Sequence, residues 1–351
     1  MTSVRRIATA ALVTGAFVLT LTACGPKPDP VHKEQILSMG TLVNITLWGV
    51  NDKLAQKAFS AANEDFNYMQ TAYNPWKPGP MGRTNQLLAL DAWFSANPSI
   101  LPLIKRAKTL YHSSDGLFDP AIGRLIGLWG FHSDTLPKGP PPKQAAIERL
   151  LAEHPTMDDV EIKGIRMRAT NAAVQVDTGG FAKGYAVDRV VDHLRRLGVH
   201  NAIVDAGGDL RAIGSRGGAP WRIGIRDPGG KGILAEVDVK GDQSVFTSGV
   251  YERFYTYHGK RYHHIIDPRT GYPARGTTSA TVIGTDGTVA DAAATALLIA
   301  GPSQWHHIAE SMGVKYAMLV ASDGTVYMNP AMAKRIHFQH KPAKVVVSEP
   351  L

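Results

Sequence analysis

The chain has 351 residues, 44% hydrophobic and 19% charged, which excludes a disordered or fibrous polymer and a polytopic membrane protein and allows one large domain or two of about 150 residues each. Its 38 Lys+Arg against 30 Asp+Glu leave +8 with no basic run interleaved with aromatics, so no nucleic-acid partner is expected. The single cysteine excludes an internal disulfide, and the absence of a fixed sequence period excludes a solenoid.

At the N-terminus, Arg5 and Arg6 precede the uncharged residues 7–21, a stretch shorter than the roughly 20 residues a transmembrane helix needs. Leu21-Thr22-Ala23-Cys24-Gly25 follows and resembles a bacterial lipobox. The expectation is a signal peptide over residues 1–23, acyl chains on Cys24, and a tether over 24–32 stiffened by Pro26, Pro28 and Pro30. That places the protein in a bacterial cell envelope, outside the cytoplasm and lipid-anchored to a membrane, on the periplasmic side if the cell is Gram-negative. The plainer alternative is a secreted protein with an incidental cysteine in its signal.

Residues 39–47 have strand character. Leu54, Ala58, Phe59, Ala62, Phe66 and Met69 then recur at helical spacing behind Asn51 or Asp52 as cap. A second helix is expected around Ile100–Leu110 with Ser99 as cap, and a third around Ile147, after the Pro-rich residues 136–142. Residues 174–177 alternate like a strand and run through a glycine-rich turn into a helix with Val187, Val190, Val191 and Leu194 on its buried face and Gly198 past its end. Alternating β patterns dominate residues 202–283. A helix containing Val289, Ala293, Ala296 and Leu297 is expected to stop at Gly301-Pro302; the last helix holds Trp305 and Ile308, and two strands around residues 322–324 close the fold as a hairpin. The sum is one α+β domain over residues 33–340, with mainly antiparallel sheet and packed helices, followed by a tail at 341–351.

Three features could do chemistry. Asp291 and Thr295 are one helical turn apart, so a carboxylate and a hydroxyl project together, as a hard cation such as Mg²⁺ prefers; a solvated Asp near a helix start is the bland alternative. The turn at residues 178–184 leads into a helix start with Lys183 beside it, an arrangement suited to phosphate oxygens or simply a tight turn with a surface lysine. His264 can serve as a general base near neutral pH or as a hydrogen-bonded core histidine. His306-His307 lacks paired ligands and reads as structural.

The segments 177–188, Ala206-Gly207-Gly208-Asp209, Thr247-Ser248-Gly249, residues 264–271 and Ala290-Asp291-Ala292 with Thr295, in this order, strongly resemble the ApbE family of FAD:protein FMN transferases. Ser38-Met39-Gly40-Thr41, Phe118-Asp119-Pro120 and residues 221–225 extend the resemblance over most of the chain. It implies that FAD is a substrate and that Asp291, Thr295 and the Ala182 carbonyl bind Mg²⁺. It also implies that Met39, Tyr73, Phe118 and Asp119 lie near the adenosine, that Lys183, Ser248 and Gly249 face the pyrophosphate or flavin, and that His264 is the base. The partner is then an acceptor protein with an exposed Thr or Ser, expected to be a membrane electron-transfer subunit. An Mg²⁺-dependent FAD pyrophosphatase on the same fold, and a lipoprotein that binds FAD without turnover, are the alternatives. Val250 stands where the family usually has Asn or Asp, and Phe181 where it has an aliphatic residue.

Overall fold

The computed structural model describes residues 30–230 and 232–351. Cys24, the signal peptide and the start of the tether lie outside the described residues.

A nine-stranded sheet organises the chain, in the order Val31–Ser38, Thr41–Trp48, Ala202–Ala206, Leu210–Ile213, Gln243–Gly249, Thr277–Gly284, Tyr316–Ala321, Val326–Met328, Val345–Val347. Every neighbour is antiparallel except the last pair, which is parallel. Because side chains alternate across a strand, each central strand feeds two cores. Val282, Leu319 and Phe246 point to the helical side; Ile283, Met318, Val320 and Val245 point to the other. There they meet the antiparallel strands Trp221–Arg226 and Ile233–Val239, whose Ile223, Ile225 and Val237 complete an apolar layer. Each fully buried aliphatic of this kind contributes roughly 1.5–3 kcal/mol.

On the helical side lie Asp52–Ala72, Ala182–Arg196 and Gly287–Ser311. Asn51 caps the first of these through its side chain and Leu54 N (2.9 Å). The second buries Val187, Val190, Val191 and Leu194 and hands over at Gly198, whose φ of +93° favours glycine. The third stretch is two helices joined at a kink: as expected, the first ends at Gly301, whose φ of +68° and ψ of −178° are not helical, and a second follows Pro302 and holds Trp305 and Ile308. A satellite core forms where Gly123–Leu128 and Gln144–Ala152 meet the hairpin Phe254–Tyr257/Lys260–His263, with Trp129 donating to Gly271 O at 2.7 Å. Among the described residues, no helix is long and apolar enough to cross a membrane.

The α+β class and mainly antiparallel sheet agree with the sequence reading, and several boundaries do not. The first strand starts at Val31, inside the expected tether, and Val345–Val347 carries the expected tail into the main sheet. The 322–324 hairpin is therefore not the end of the fold. Residues 174–177 make only one isolated bridge, Gln175 to Ile122, so they are an irregular connection rather than a strand. Ser99 is not the cap of Leu101–Ser113; its own N–H and hydroxyl are turned to Asn97. The helix Pro80–Leu88 falls in a Pro- and Gly-rich stretch and begins with the proline that such flanks suggest would break it.

Candidate active site

The site forms where Ala182–Arg196 starts beside the first half of Gly287–Ser311. Glycine makes this approach possible. A Cβ on Gly184 would collide with Gly287 O and lie 2.9 Å from Asp291 Cβ, and without it Gly184 N donates to Asp291 Oδ2 at 2.9 Å. That is the only hydrogen bond the Asp291 carboxylate receives among the described residues. Asp291 is buried, and its pKa is raised well above the usual carboxylate range, first by burial and then by the charge of Asp209.

Lys183 reaches across to Asp209 as an ion pair. Asp209 is held by its second oxygen, which accepts from Thr247 N at 3.1 Å, and it leaves the sheet through the turn of Gly207 and Gly208, both at positive φ. Burial alone would depress the Lys183 ammonium, but Asp209, Asp291 and Glu252 around it drive its pKa upward. Glu252 itself is pushed up by desolvation in the cleft, against the opposing pull of Lys183. The cleft therefore sets one cation among three carboxylates. Neither Asp209 nor Glu252 was singled out as a site residue by sequence reasoning, although both stand in the quoted or adjoining motif segments.

Thr295, one turn beyond Asp291, shares a 2.8 Å hydrogen bond with Ser248, which unites two residues that the sequence reading placed at separate ligands. Gly180 packs at the same point: a methyl group on it would lie 3.8 Å from Thr295 Oγ1 and 3.0 Å from Phe118 Cε2. Phe118 stacks edge-on against Phe181 at 5.8 Å, and Tyr73 accepts on its carbonyl from Thr178 Oγ1 at 2.7 Å while its ring meets Tyr185. Tyr73 and Phe118 thus converge on the glycine-rich turn. Ala182 is buried at the first helical position. Gly249 lies under the Tyr251 ring, 2.5 Å from its Cζ if a Cβ were added.

Two further expected residues have partners of their own. Asp119 turns its carboxylate back onto Ala121 N (2.9 Å), and burial pushes it up to about 7. Met39 sits at φ +52° in the turn between the first two strands, where its N–H is taken by Gln70 Oε1 at 2.8 Å; neighbouring Thr41 packs on Gly207, which links this turn to the one presenting Asp209.

The adjacent histidines differ sharply. His263 is buried with Nε2 on Ala274 O (2.8 Å) and Nδ1 accepting from Ile265 N (3.3 Å), so both ring nitrogens are used. His264 bonds only through Nδ1, to Arg253 O at 3.2 Å. A carbonyl can only accept, so Nδ1 carries the hydrogen and Nε2 keeps its lone pair. Burial and nearby positive charge, including Lys183, lower its pKa to about 3, which keeps the ring neutral. His306 and His307 are tied to Glu349 O and Asp115, as a structural pair would be.

Among the described residues no three His, Cys, Asp or Glu side chains converge as a metal ligand set. A cation here would take mixed oxygen donors instead: the Asp291 carboxylate, with a single hydrogen bond, and the hydroxyl of Thr295. These are hard ligands, few in number and set in an excess of acid, which fits Mg²⁺.

A family model described as the ApbE family matches residues 39–319. The FAD:protein FMN transferase of Rhodobacter capsulatus is 38% identical over 327 residues, 93% of this chain and 62% of that protein. The protein of the same name from Vibrio cholerae is 31% identical over 319 residues, 89% of this chain and 94% of its own length. The chain thus spans less than two thirds of the first relative and nearly all of the second. Among solved structures, the ApbE protein of Thermotoga maritima superposes with a TM-score of 0.80 at 32% identity, covering 89% of this chain and 100% of that one. The apo flavinyl transferase ApbE of Pseudomonas stutzeri gives 0.77 at 26% identity, covering 90% and 99%.

Proposed function

The chain belongs to the ApbE family, and from that premise we propose that it is an FAD:protein FMN transferase. The observation that carries this reading is the cleft's composition: one ammonium, three carboxylates and a paired Thr–Ser hydroxyl set at a helix start. Such a site suits a pyrophosphate accompanied by a divalent cation. Mg²⁺ held by Asp291, Thr295 and the Ala182 carbonyl would offset charge on the phosphates and on the departing AMP.

The reaction is a substitution at phosphorus. A Thr or Ser hydroxyl of the acceptor bonds to the FMN-side phosphorus, the bridging P–O bond breaks with its electron pair leaving on AMP, and the hydroxyl proton passes to His264 Nε2. The fixed tautomer of His264 leaves the Nε2 lone pair for that proton, since its Nδ1–H is committed to Arg253 O, and arriving phosphate anions would raise the basicity that burial lowers in the free site. Lys183 and the amides of the helix start hold anionic phosphate oxygens, with Asp209 keeping the ammonium in place until they arrive. Tyr73 and Phe118, together with Met39 and Asp119, border the adenosine; Ser248 and Gly249 border the pyrophosphate and flavin.

The same reading places the enzyme on a membrane through Cys24, in the cell envelope. Its support is the order of Arg5-Arg6, an apolar stretch and Leu21-Thr22-Ala23-Cys24. Acceptors within reach of a short tether are extracytoplasmic domains of membrane electron-transfer proteins, modified on an exposed loop. Incubating the protein with FAD, Mg²⁺ and a panel of such domains tests the activity. The expected result is an acceptor mass gain equal to FMN less water with one AMP released per event; free FMN and AMP alone would mark a hydrolase.

A further inference from the structure

Beside the cleft runs a groove of about 340 Å³ that no step above uses. Its lining includes Val250, the residue after Gly249, and His263, the residue before His264, so it abuts the site at both of those points in the chain. No Asp or Glu lines it, while Lys260, Arg261 and Arg275 do, all three exposed. Several arginines elsewhere find acids: Arg269 with Asp267 at 2.8 Å, Arg222 with Asp238 at 3.4 Å, Arg195 with Asp242 at 2.6 Å. Around the groove none does among the described residues; Lys260 and Arg261 instead lie over the rings of Tyr262 and Phe254. Thr277, also in the lining, has a buried hydroxyl with no hydrogen-bond partner among the described residues.

We propose that this groove docks an extended acidic segment of the acceptor protein, on the flank of the hydroxyl that His264 serves. The inference rests on the transferase reading and adds the partner's chemistry to it. Three cations without acid partners on the protein itself favour carboxylates on the incoming chain, and a charge match beside the site sets register and encounter more than chemistry. Arginine and tyrosine along the lining are residue types enriched where proteins recognise one another.

The probe is a small soluble carrier domain with a 12-residue extension containing one Thr, flanked by three Asp in one version and three Lys in the other. FMN incorporation is measured against carrier concentration, and the KM for FAD is measured alongside. The wild type should show a KM for the Asp carrier about tenfold below that for the Lys carrier. The variant Lys260→Glu/Arg261→Glu/Arg275→Glu should reverse the preference with the KM for FAD within about twofold; gained activity on the Lys carrier also shows that it is folded. Equal KM values for both carriers in the wild type, an unchanged preference in the variant, or an effect confined to the KM for FAD would each overturn the docking inference while leaving the transferase standing. Release of FMN and AMP with neither carrier labelled by the wild type would remove the transferase reading and this inference with it.

Discussion

Two charge clusters flank the same pair of helices and are built to opposite ends. In the first, Arg211 donates to Asp188 at 2.6 Å and to both oxygens of Asp242 at 2.8 and 2.9 Å, and Arg195 joins Asp242 at 2.6 Å. Asp188 also accepts from Gly287 N, Thr288 N and Thr288 Oγ1, capping the start of the kinked helix. Each arginine has two acid partners, Asp192 at 3.6 Å being the second for Arg195, and Asp188 and Asp242 are each enclosed by donors. Burial raises the Asp188 carboxyl against the pull of Arg211, while the two arginines hold Asp242 below the usual range despite its own desolvation. In the second cluster, Lys183 faces Asp209, Asp291 and Glu252, and Asp291 receives one backbone donor. The first cluster is complete and holds the helices; the second carries surplus acid at a cleft, a state that makes sense where a cation and a nucleotide are to arrive.

That contrast is sharpest in paired substitutions. Asp291→Asn should abolish FMN transfer while leaving unfolding free energy unchanged or higher, since it removes a desolvated carboxylate. Asp188→Ala should do the reverse, lowering stability by about 1–3 kcal/mol, because Arg211 Nη1 and the Gly287 and Thr288 N–H groups lose their acceptor. Denaturant midpoints and turnover on both variants check this; similar signatures for the two would erase the distinction between the clusters. His264→Ala should cut kcat by about 10²- to 10⁴-fold with the KM for FAD retained. His263→Ala should instead destabilise by about 1–3 kcal/mol, as it strands Ala274 O.

Smaller effects follow from packing and from titration. Gly184→Ala should cost about 1–3 kcal/mol, because the added methyl meets the Gly287 backbone and separates the helices. For pH, His264 falls from an ordinary 6.5 in the unfolded chain to about 3 when folded, and His263 is also lowered. Their contribution to stability is complete above about 6.5 and is lost as pH falls toward 3, because the unfolded chain binds protons that the folded one refuses. Asp119 has the other sign: raised from 3.8 to about 7, it contributes stability at low pH that is lost as pH rises through 7. Asp119→Asn should therefore gain more stability at pH 8 than at pH 4, as denaturant midpoints at the two values would register.

Local rules made much of this legible. The Asn51 cap, the Val187–Leu194 stripe and the Gly198 terminus each follow from three or four neighbouring residues, and the i, i+4 spacing of Asp291 and Thr295 put both one turn apart on a single helix. What escaped depends on distant contacts. Arg211 meets Asp188 and Asp242 only because the sheet and helices bring them together, and Thr295 meets Ser248 across 47 positions. Residues 174–177 alternate like a strand yet find one bridge, since the glycine turn must drop them toward Trp76 and Tyr73. Gly301-Pro302, by contrast, reads as a stop and is one: Gly301 leaves helical geometry and a separate helix starts after it.

Calorimetric titration of Mg²⁺ into the nucleotide-free protein and into protein saturated with AMP tests the central contrast most directly. One Mg²⁺ per chain should bind to the wild type and to Asp242→Asn, more tightly with AMP present, and none to Asp291→Asn. Retained binding in Asp291→Asn, or loss of binding in a folded Asp242→Asn, would contradict the assignment of the open cluster as the cation site.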